Sequence, residues 1–225
     1  TKTFGRFTAL KSLSLTLSRG EFLTIVGRNG AGKTTFLKIV SSIIGSFTGD
    51  LILFGKNIKD ADEDLRRRIG FVSHDSLLYK DLTVRDNLSF YARMYGVKNP
   101  DERVAEMIQR VDLEAKTSVL ARALSRGMKQ RLSLARAFIH NPGILLLDEP
   151  FTGLDERAAE ILDSFLNEFK TAGGALLMVT HNIERGWRHA DRVVVLDKGR
   201  VVYDTPVGEQ SFDDFRSEYR RILYG

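Results

Sequence analysis

Short apolar runs alternate along the chain with longer stretches in which apolar residues recur every three or four positions. Continuous runs of this length suit strands that are buried on both faces of a parallel sheet. They cover 22–27, 69–73, 144–148 and 175–180, and a shorter run covers 51–54. Segments 192–196 and 200–203 flank a turn at 197–199, which predicts a hairpin. The pattern predicts an α/β protein.

The longer stretches predict helices with recognisable ends. One helix begins near Ser125, since apolar residues follow at helical spacing, and it stops at the Asn-Pro-Gly sequence 141–143. Thr83 and Asp86 resemble a capping box that opens another helix, which ends near Gly96. Further helices are predicted for 33–42, for the stretch after Asn99 and for 158–169.

These elements divide the chain into an interrupted core and an insert. Sheet elements occupy 1–85 and 142–205, and a mostly helical subdomain occupies 86–141. The extension 206–225 is short and mixed in composition, and the sequence assigns it no role.

Composition narrows the possible classes only a little. Hydrophobic residues make up 43% of the 225 residues and charged residues 28%, which is ordinary for a globular protein. The chain has no cysteine, which excludes disulfides and cysteine metal sites. No apolar run approaches the roughly 18 residues that a membrane-spanning helix needs. The net charge of +5 is dispersed, so we expect a solvated basic surface and no nucleic-acid partner.

A phosphate-binding pattern follows the first buried run. Residues 27–34 fit G-x-x-x-x-G-K-[ST], with a predicted strand before them and a predicted helix after them. Backbone N–H groups of such a loop surround phosphates, and the helix start adds its positive dipole end. We expect Lys33 to reach the β- and γ-phosphates and the Thr34 hydroxyl to ligate Mg²⁺. The predicted nucleotide-binding residues of this loop are Gly27, Arg28, Asn29, Gly30, Ala31, Gly32, Lys33, Thr34 and Thr35.

Polar residues that end two buried runs are candidates for chemistry. Asp148 and Glu149 close one run, and His181 closes the next. The carboxyl ends of parallel strands meet at the sheet edge where ligands bind, beside the phosphate loop. Asp148 suits the Mg²⁺ shell, and Glu149 suits a general base that orients and polarises the attacking water. His181 can donate a hydrogen bond to the γ-phosphate.

Several further segments resemble one family, the ATP-binding cassette (ABC) proteins. Residues 124–131, Leu-Ser-Arg-Gly-Met-Lys-Gln-Arg, look like its signature motif, usually written LSGGQ. Residues 152–155, Thr-Gly-Leu-Asp, resemble its D-loop, and His181 resembles its switch histidine. Phe4 falls where members place an aromatic residue that stacks on adenine. His74 stands where most members have glutamine, and we expect it to act in catalysis by holding a water beside the metal.

The resemblance implies a fold and a set of cofactors. The expected fold is a P-loop NTPase (RecA-like) core with a mainly parallel sheet, an N-terminal antiparallel β portion and a helical subdomain. The expected cofactors are ATP and Mg²⁺. The signature and D-loop residues that the resemblance adds to the nucleotide site are Leu124, Ser125, Gly127 and Asp155.

The resemblance also implies partners. Ser125 and Gly127 begin a helix, and this helix end is expected to meet the γ-phosphate bound by the Lys33 loop of a second subunit. Two copies would then form a closed head-to-tail dimer, expected to be a homodimer, with ATP between them. Membrane-spanning transporter subunits are the other expected partners. They place the chain peripherally at the cytoplasmic face of the inner membrane.

Two other functional classes compete with transport. Soluble ABC ATPases of DNA repair and chromosome organisation carry a long coiled coil between the phosphate loop and the signature motif, whereas segment 35–123 has no heptads. Translation members usually carry two cores in one chain, and this chain has one. A pure binding module would not need Glu149. A membrane transporter is therefore the favoured class.

Within transporters, segment 71–97 resembles the ATP-binding subunit of the haem exporter used in cytochrome c maturation. The likeness rests on that region, and ATPase subunits of drug, lipid or polysaccharide exporters share much of the pattern. Two positions depart from the family motif, since Arg126 and Met128 replace the commoner glycine and glutamine. Arg126 either adds a cation near the γ-phosphate or faces solvent.

Overall fold

The structure is a computed structural model that describes residues 1–73 and 76–225. In chain order, the strands are β1 (Lys2–Phe4), β2 (Phe7–Leu10), β3 (Phe22–Val26), β4 (Ile52–Leu53), β5 (Lys56–Asn57), β6 (Ile69–Val72), β7 (Ile144–Asp148), β8 (Ala175–Thr180), β9 (Arg192–Asp197) and β10 (Arg200–Pro206). The α-helices are α1 (Lys33–Val40), α2 (Glu63–Arg67), α3 (Val84–Met94), α4 (Pro100–Arg110), α5 (Arg126–Phe138), α6 (Glu156–Thr171), α7 (Ile183–His189) and α8 (Phe212–Tyr224).

The central sheet is mainly parallel. Among the described residues its six strands lie in the order β10-β9-β3-β8-β7-β6. Strands β9, β3, β8, β7 and β6 pair in parallel, and β10 joins the edge antiparallel to β9. Strands β3, β6, β7 and β8 therefore end at one edge, which confirms the predicted P-loop type of sheet.

Helices cover both faces of this sheet, which explains the continuous apolar runs. Along β7, Leu145 and Leu147 pack into a core cluster with α5 and α6. Ile144 and Leu146 point to the opposite cluster, which contains Leu37 of α1. Successive side chains of a strand face opposite sides, so a strand between two helical layers must be apolar at every position.

The insert forms helices α3, α4 and α5, packed on the first of these clusters. Thr83 caps α3 by accepting a hydrogen bond from Asp86 N at 3.0 Å, and the Thr83 hydroxyl donates to the Asp86 carboxylate at 2.6 Å. Pro100 begins α4 at its first turn, where its missing N–H has no partner to lose. These capping predictions are confirmed.

The N-terminal β portion is antiparallel, as predicted. Strand β1 pairs with β2, and β4 pairs with β5. The strand predicted for 51–54 was too long. Phe54 and Gly55 have φ values of +52° and +81°, so the chain turns there and forms a short hairpin.

The end of the chain is more ordered than the sequence indicated. Strand β10 runs to Pro206, and the extension carries α8, whose Phe215 is buried. The Phe215 ring stacks on Trp187 of α7 with centroids 4.8 Å apart. Neither α7 nor α8 was predicted. Within the described residues, every helix is too short or too polar to span a bilayer.

Candidate active site

The phosphate loop joins the end of β3 to the start of α1, and two of its glycines are required by close backbone contacts. A Cβ at Gly27 would lie 2.2 Å from the Leu196 carbonyl oxygen. Gly32 has φ +106°, and a Cβ there would lie 2.7 Å from the Ala9 carbonyl oxygen. The backbone of β2 and of β9 therefore packs closely against the loop. Arg28, Asn29 and Gly30 are exposed on the loop.

Lys33 is held by the loop that it follows. Its Nζ donates to the carbonyl oxygens of Gly27 at 2.7 Å and Arg28 at 3.1 Å. Burial lowers the pKa of Lys33, while the nearby charges of Glu149 and Asp148 raise it. The loop thus holds the Lys33 ammonium near enough to the two strand-end carboxylates to interact with their charges.

Thr34 and Asp148 meet across the sheet edge. The Thr34 hydroxyl donates to Asp148 Oδ1 at 3.2 Å, and Asp148 is buried at the end of β7. A hydroxyl and a carboxylate are hard oxygen ligands of the kind that Mg²⁺ prefers. The chemistry of this pair fits the predicted metal site.

Glu149 is fixed by the end of the neighbouring strand. Its backbone N–H donates to Val179 O at 2.9 Å, and its φ is +50°. The Thr180 hydroxyl donates to Oε2 at 2.8 Å. His181 contacts Oε1 twice, through its backbone N–H at 2.8 Å and its ring Nδ1 at 2.7 Å. The structure therefore brings together Glu149 and His181, and it adds Thr180, which the sequence analysis missed although it directly precedes His181.

The signature residues stand at the start of α5. Ser125 is the N-cap, and its exposed hydroxyl accepts a hydrogen bond from Met128 N at 3.2 Å. Within the described residues no hydrogen bond joins Ser125 or Gly127 to the phosphate loop. Leu124, just before them, is buried in the core.

The D-loop lies against this helix start. Asp155 caps α6 by accepting from Ala158 N at 2.8 Å, and a Cβ at Gly127 would lie 2.8 Å from Asp155 Oδ2. A Cβ at Gly153 would lie 2.6 Å from the Arg126 guanidinium carbon. Arg126 therefore packs over the D-loop of its own chain, a third possibility that the sequence analysis did not consider.

Two other predicted residues stand apart from this cluster. Phe4 is 46% exposed on β1, and Lys2 Nζ lies 4.5 Å from the centre of its ring. An exposed aromatic face of this kind can stack on a base. Thr35 is half-buried in the first turn of α1. His74 lies outside the described residues.

The fold and the site define a P-loop NTPase, with a phosphate loop, an acidic strand end and the helix start at Ser125. The family model described as ABC transporter matches residues 10–152. The chain belongs to the ABC transporter family, in which it is an ATP-binding subunit that hydrolyses ATP.

Relatives share most of the chain. ABC transporter ATP-binding protein NatA of Bacillus subtilis is 31% identical over 219 residues, covering 96% of this chain and 89% of the relative. Nod factor export ATP-binding protein I of Burkholderia orbicola is 36% identical over 203 residues, covering 89% and 67%. Methionine import ATP-binding protein MetN of Brucella abortus is 35% identical over 213 residues, covering 92% and 58%.

Solved structures agree with the fold. The ATP-binding subunit of an ABC transporter superimposes with a TM-score of 0.87 at 28% identity, covering 96% of this chain and 95% of the other. A dimeric ATP-binding cassette in a post-hydrolysis state, bound to ADP and Pi, gives a TM-score of 0.83 at 28% identity, covering 92% and 94%.

Proposed function

We propose that this chain is the motor subunit of a membrane transporter, and that it hydrolyses Mg²⁺-bound ATP in sites shared between two copies. The observation that carries the proposal is the arrangement around Glu149. Its carboxylate is fixed by Thr180 and His181, next to Lys33 and the Thr34–Asp148 pair. Packing of the fold alone does not require a cation and two carboxylates to lie close together at one edge of the sheet.

Each residue of the loop has a role in nucleotide binding. The N–H groups of 27–32 and the Lys33 ammonium would hold the phosphates. Thr34 and Asp148 would hold Mg²⁺, which supplies neutralisation of phosphate charge when bound. Phe4 stacks on adenine. His74, in the proposed role, holds a water near the metal.

Glu149 acts as the general base. An ionised carboxylate has about four acceptor positions, and three hydrogen bonds from Thr180 and His181 leave roughly one for the attacking water. The proton of that water passes to this carboxylate as the water oxygen attacks the γ-phosphorus, and the bond from that phosphorus to the bridging oxygen breaks so that ADP leaves and phosphate forms. His181 donates through its Nδ1 to Glu149, and its Nε2 donates to the γ-phosphate in the form of the ring that carries a proton on both nitrogens.

Replacing this base should remove turnover without removing binding. Glu149→Gln keeps the size of the side chain but cannot take the proton, and general bases contribute about 10²–10⁴-fold. We expect the rate of ATP hydrolysis to fall by that factor while ATP affinity, measured by equilibrium binding, stays within about threefold. The matched control is Glu184→Gln, an exposed acid on α7 near the same strand end. A Glu149→Gln rate above half of the wild-type rate would reject the assignment.

The second helix end acts in trans. Ser125 is exposed and makes no hydrogen bond with its own phosphate loop in the described chain, which supports a role at the loop of another copy. Leu124, Gly127 and Asp155 support this end, and the dimeric cassette among the solved structures provides a precedent. We propose a head-to-tail homodimer with an ATP at each of the two shared sites.

The domain boundaries remain part of the proposal. The core comprises 1–85 and 142–205, the helical subdomain 86–141, and the extension 206–225 supports the core through α8. We place the dimer at the cytoplasmic face of the inner membrane, where it moves membrane-spanning subunits as ATP binds and is hydrolysed.

An exposed aromatic surface on the helical side is the proposed docking site for those subunits. Leu77, Tyr79, Phe90 and Met94 are all more than 40% exposed, and the Tyr79 and Phe90 rings pack edge to face with centroids 4.9 Å apart. Large exposed apolar groups that lie together usually mark an interaction surface.

Crosslinking tests this surface. A cysteine at Tyr79, in a chain that otherwise has none, should crosslink to the membrane subunit in native membranes, because the surface faces that subunit. A cysteine at Lys170, at the end of α6, is the control and should not crosslink. Capture from Lys170 alone would reject the surface.

The proposed direction of transport is export, and the cargo is defined only as a class. The named relatives include both export and import proteins. Export is favoured by the Nod factor export relatives, and haem is one candidate cargo because of the likeness in segment 71–97. None of the named relatives is a haem exporter, so an exporter of a drug, lipid or polysaccharide remains the alternative.

A further inference from the structure

Polar side chains on one side of α5 and just beyond its end bind backbone carbonyls of segment 69–77. The Ser133 hydroxyl donates to Ser76 O at 2.6 Å. Arg136 Nη2 donates to Phe71 O. His140 Nε2 lies 3.2 Å from Ile69 O. We call Ser133, Arg136 and His140 the carbonyl clamp. It holds the chain on both sides of positions 74 and 75.

The clamp extends to the aromatic docking surface through Tyr91. The Arg136 guanidinium lies 5.5 Å from the centre of the Tyr91 ring, and the Tyr91 hydroxyl donates to Leu77 O at 2.6 Å. Tyr91 also packs edge to face on Phe90, with centroids 5.3 Å apart. One continuous series of contacts therefore runs from Phe71 O through Arg136 and Tyr91 to Leu77.

Arg136 is an unusual residue for a position whose only task is packing. It is 5% exposed, and burial lowers the pKa of its guanidinium. Burying a cation is unfavourable, and an apolar side chain of similar length would fill the same space without that penalty. The guanidinium does supply a donor to Phe71 O and a cation to the Tyr91 face, contacts that an apolar residue cannot make.

The other end of the same helix carries Ser125, which is proposed to meet the γ-phosphate bound by a second copy. Helix α5 begins after Ser125 and continues without a break to Phe138. A helix is a stiff element, so a displacement at its first turn moves residues ten positions further along. The clamp lies on the last two turns and beyond, where such a displacement reaches segment 69–77.

We propose that Arg136 is a positioning residue that couples the Ser125 end of α5 to the docking surface through segment 69–77. The proposal rests on the proposed function, since it requires that Ser125 meets ATP bound by a second copy. When ATP binds, it restricts the motion of α5 at Ser125. The hydrogen bonds of the clamp then restrict the motion of the backbone at 76–79. Arg136 does not touch the nucleotide.

Hydrogen exchange in the full chain tests this coupling. The chain carries Glu149→Gln so that ATP is bound and not consumed, and amide exchange is measured with and without Mg²⁺-ATP in peptides covering 126–132 and 76–82. We expect ATP to slow exchange in both peptides. Adding Arg136→Met, which keeps most of the side-chain length and removes the donors, should leave the protection at 126–132. It should reduce the protection at 76–82 at least about fivefold, a typical coupling magnitude.

Arg103 provides the matched control. Its guanidinium also donates to carbonyls at the end of α5, to Phe138 O at 3.0 Å and Ile139 O at 3.2 Å, and in the described part of the chain it makes no hydrogen bond to 69–73 or 76–77. Arg103→Met should keep ATP-dependent protection in both peptides. Arg136→Lys, which retains a cation and a donor, should restore part of the coupling. Tyr91→Phe, which removes only the hydroxyl that binds Leu77 O, should weaken it even if Arg136→Met does not fold.

The outcomes separate the two claims. Equal ATP-dependent protection at 76–82 with and without Arg136→Met, or with and without Tyr91→Phe, would overturn the clamp. Absence of ATP-dependent protection at 126–132 in the Glu149→Gln chain would overturn the shared site, and the coupling with it.

Discussion

At the scale of single residues, the site depends on backbone conformations that few side chains tolerate. Glu149 has a left-handed φ of +50°, which costs a residue other than glycine of order 1–3 kcal/mol and persists only where neighbours enforce it. Here Val179, Thr180 and His181 supply the enforcing hydrogen bonds. The end of β8 thus holds the residue proposed as the base in its unusual conformation.

Gly27 is required because another part of the backbone lies too close for a side chain. Gly27→Ala would place a Cβ 2.2 Å from the Leu196 carbonyl oxygen, and a backbone atom cannot move aside as a flexible side chain can. We expect the free energy of unfolding to fall by about 1–3 kcal/mol and ATP turnover to fall about 10²-fold, because the loop must shift. Denaturant unfolding and a steady-state ATPase assay measure the two effects.

Gly45→Ala is the control for that substitution. Gly45 is exposed, and a Cβ there would meet nothing within 4 Å. It should leave both quantities unchanged. If Gly27→Ala behaves like Gly45→Ala, the contact between the loop and β9 does not constrain the site.

At the scale of elements, the end of α5 carries a pH dependence. Burial lowers the pKa of His140 to about 4, and the charges of Arg136 and Arg103 act in the same direction. The ring also stacks on Tyr95 with centroids 4.0 Å apart. The unfolded chain, with a histidine pKa near the ordinary 6.5, binds a proton that the folded chain does not. Stability is therefore fully present above about pH 6.5 and is lost as the pH falls toward 4.

We expect this one group to remove about 2 kcal/mol of stability between pH 7 and pH 5. Other groups titrate in the same window, so the informative quantity is the difference between the wild type and His140→Gln, which keeps a donor and does not titrate. Urea unfolding at both pH values gives that difference. Parallel pH dependences for the two proteins would show that His140 is not buried in the neutral form.

Much of this element structure was predictable, and the exceptions have physical reasons. Strands β7 and β8 have the predicted bounds, because strands covered on both faces are apolar throughout. Helix α7 was missed because it is short: its apolar side of Ile183 and Trp187 spans a single turn, too little to give a periodic pattern. Helix α8 had a usable signal, since Phe212, Phe215, Tyr219 and Leu223 recur at helical spacing among many charges.

The residues of the site that belong to sequence motifs were predictable. The contacts between residues that are distant in the sequence were not. The loop residues, Asp148 and Glu149 follow from sequence spacing. The Thr180 hydrogen bond to Glu149, the packing of Arg126 over Gly153 and the carbonyl clamp join residues far apart in the chain. Such pairs leave no local pattern in a single sequence.

At the scale of the whole molecule, the predicted nucleotide-binding residues of one chain form two separate groups. The Lys33 loop with Glu149 forms one group, and the Ser125 helix end with Asp155 forms another. No hydrogen bond in the described chain joins Ser125 to its own loop. In the proposed two-fold dimer each group would complete the other copy's site, and both copies would then be necessary for either site to work.

Mixing two inactive variants tests this shared site most directly. Lys33→Ala removes the cation of the phosphate loop, and Ser125→Arg blocks the second helix end, so each homodimer has one lesion at each of its two sites. In a mixed dimer both lesions fall on one site, and the other site is intact. Equal mixing should therefore restore roughly a quarter of wild-type ATP turnover if dimers form at random and sites act independently. No recovery in mixtures shown to contain mixed dimers would contradict the shared site.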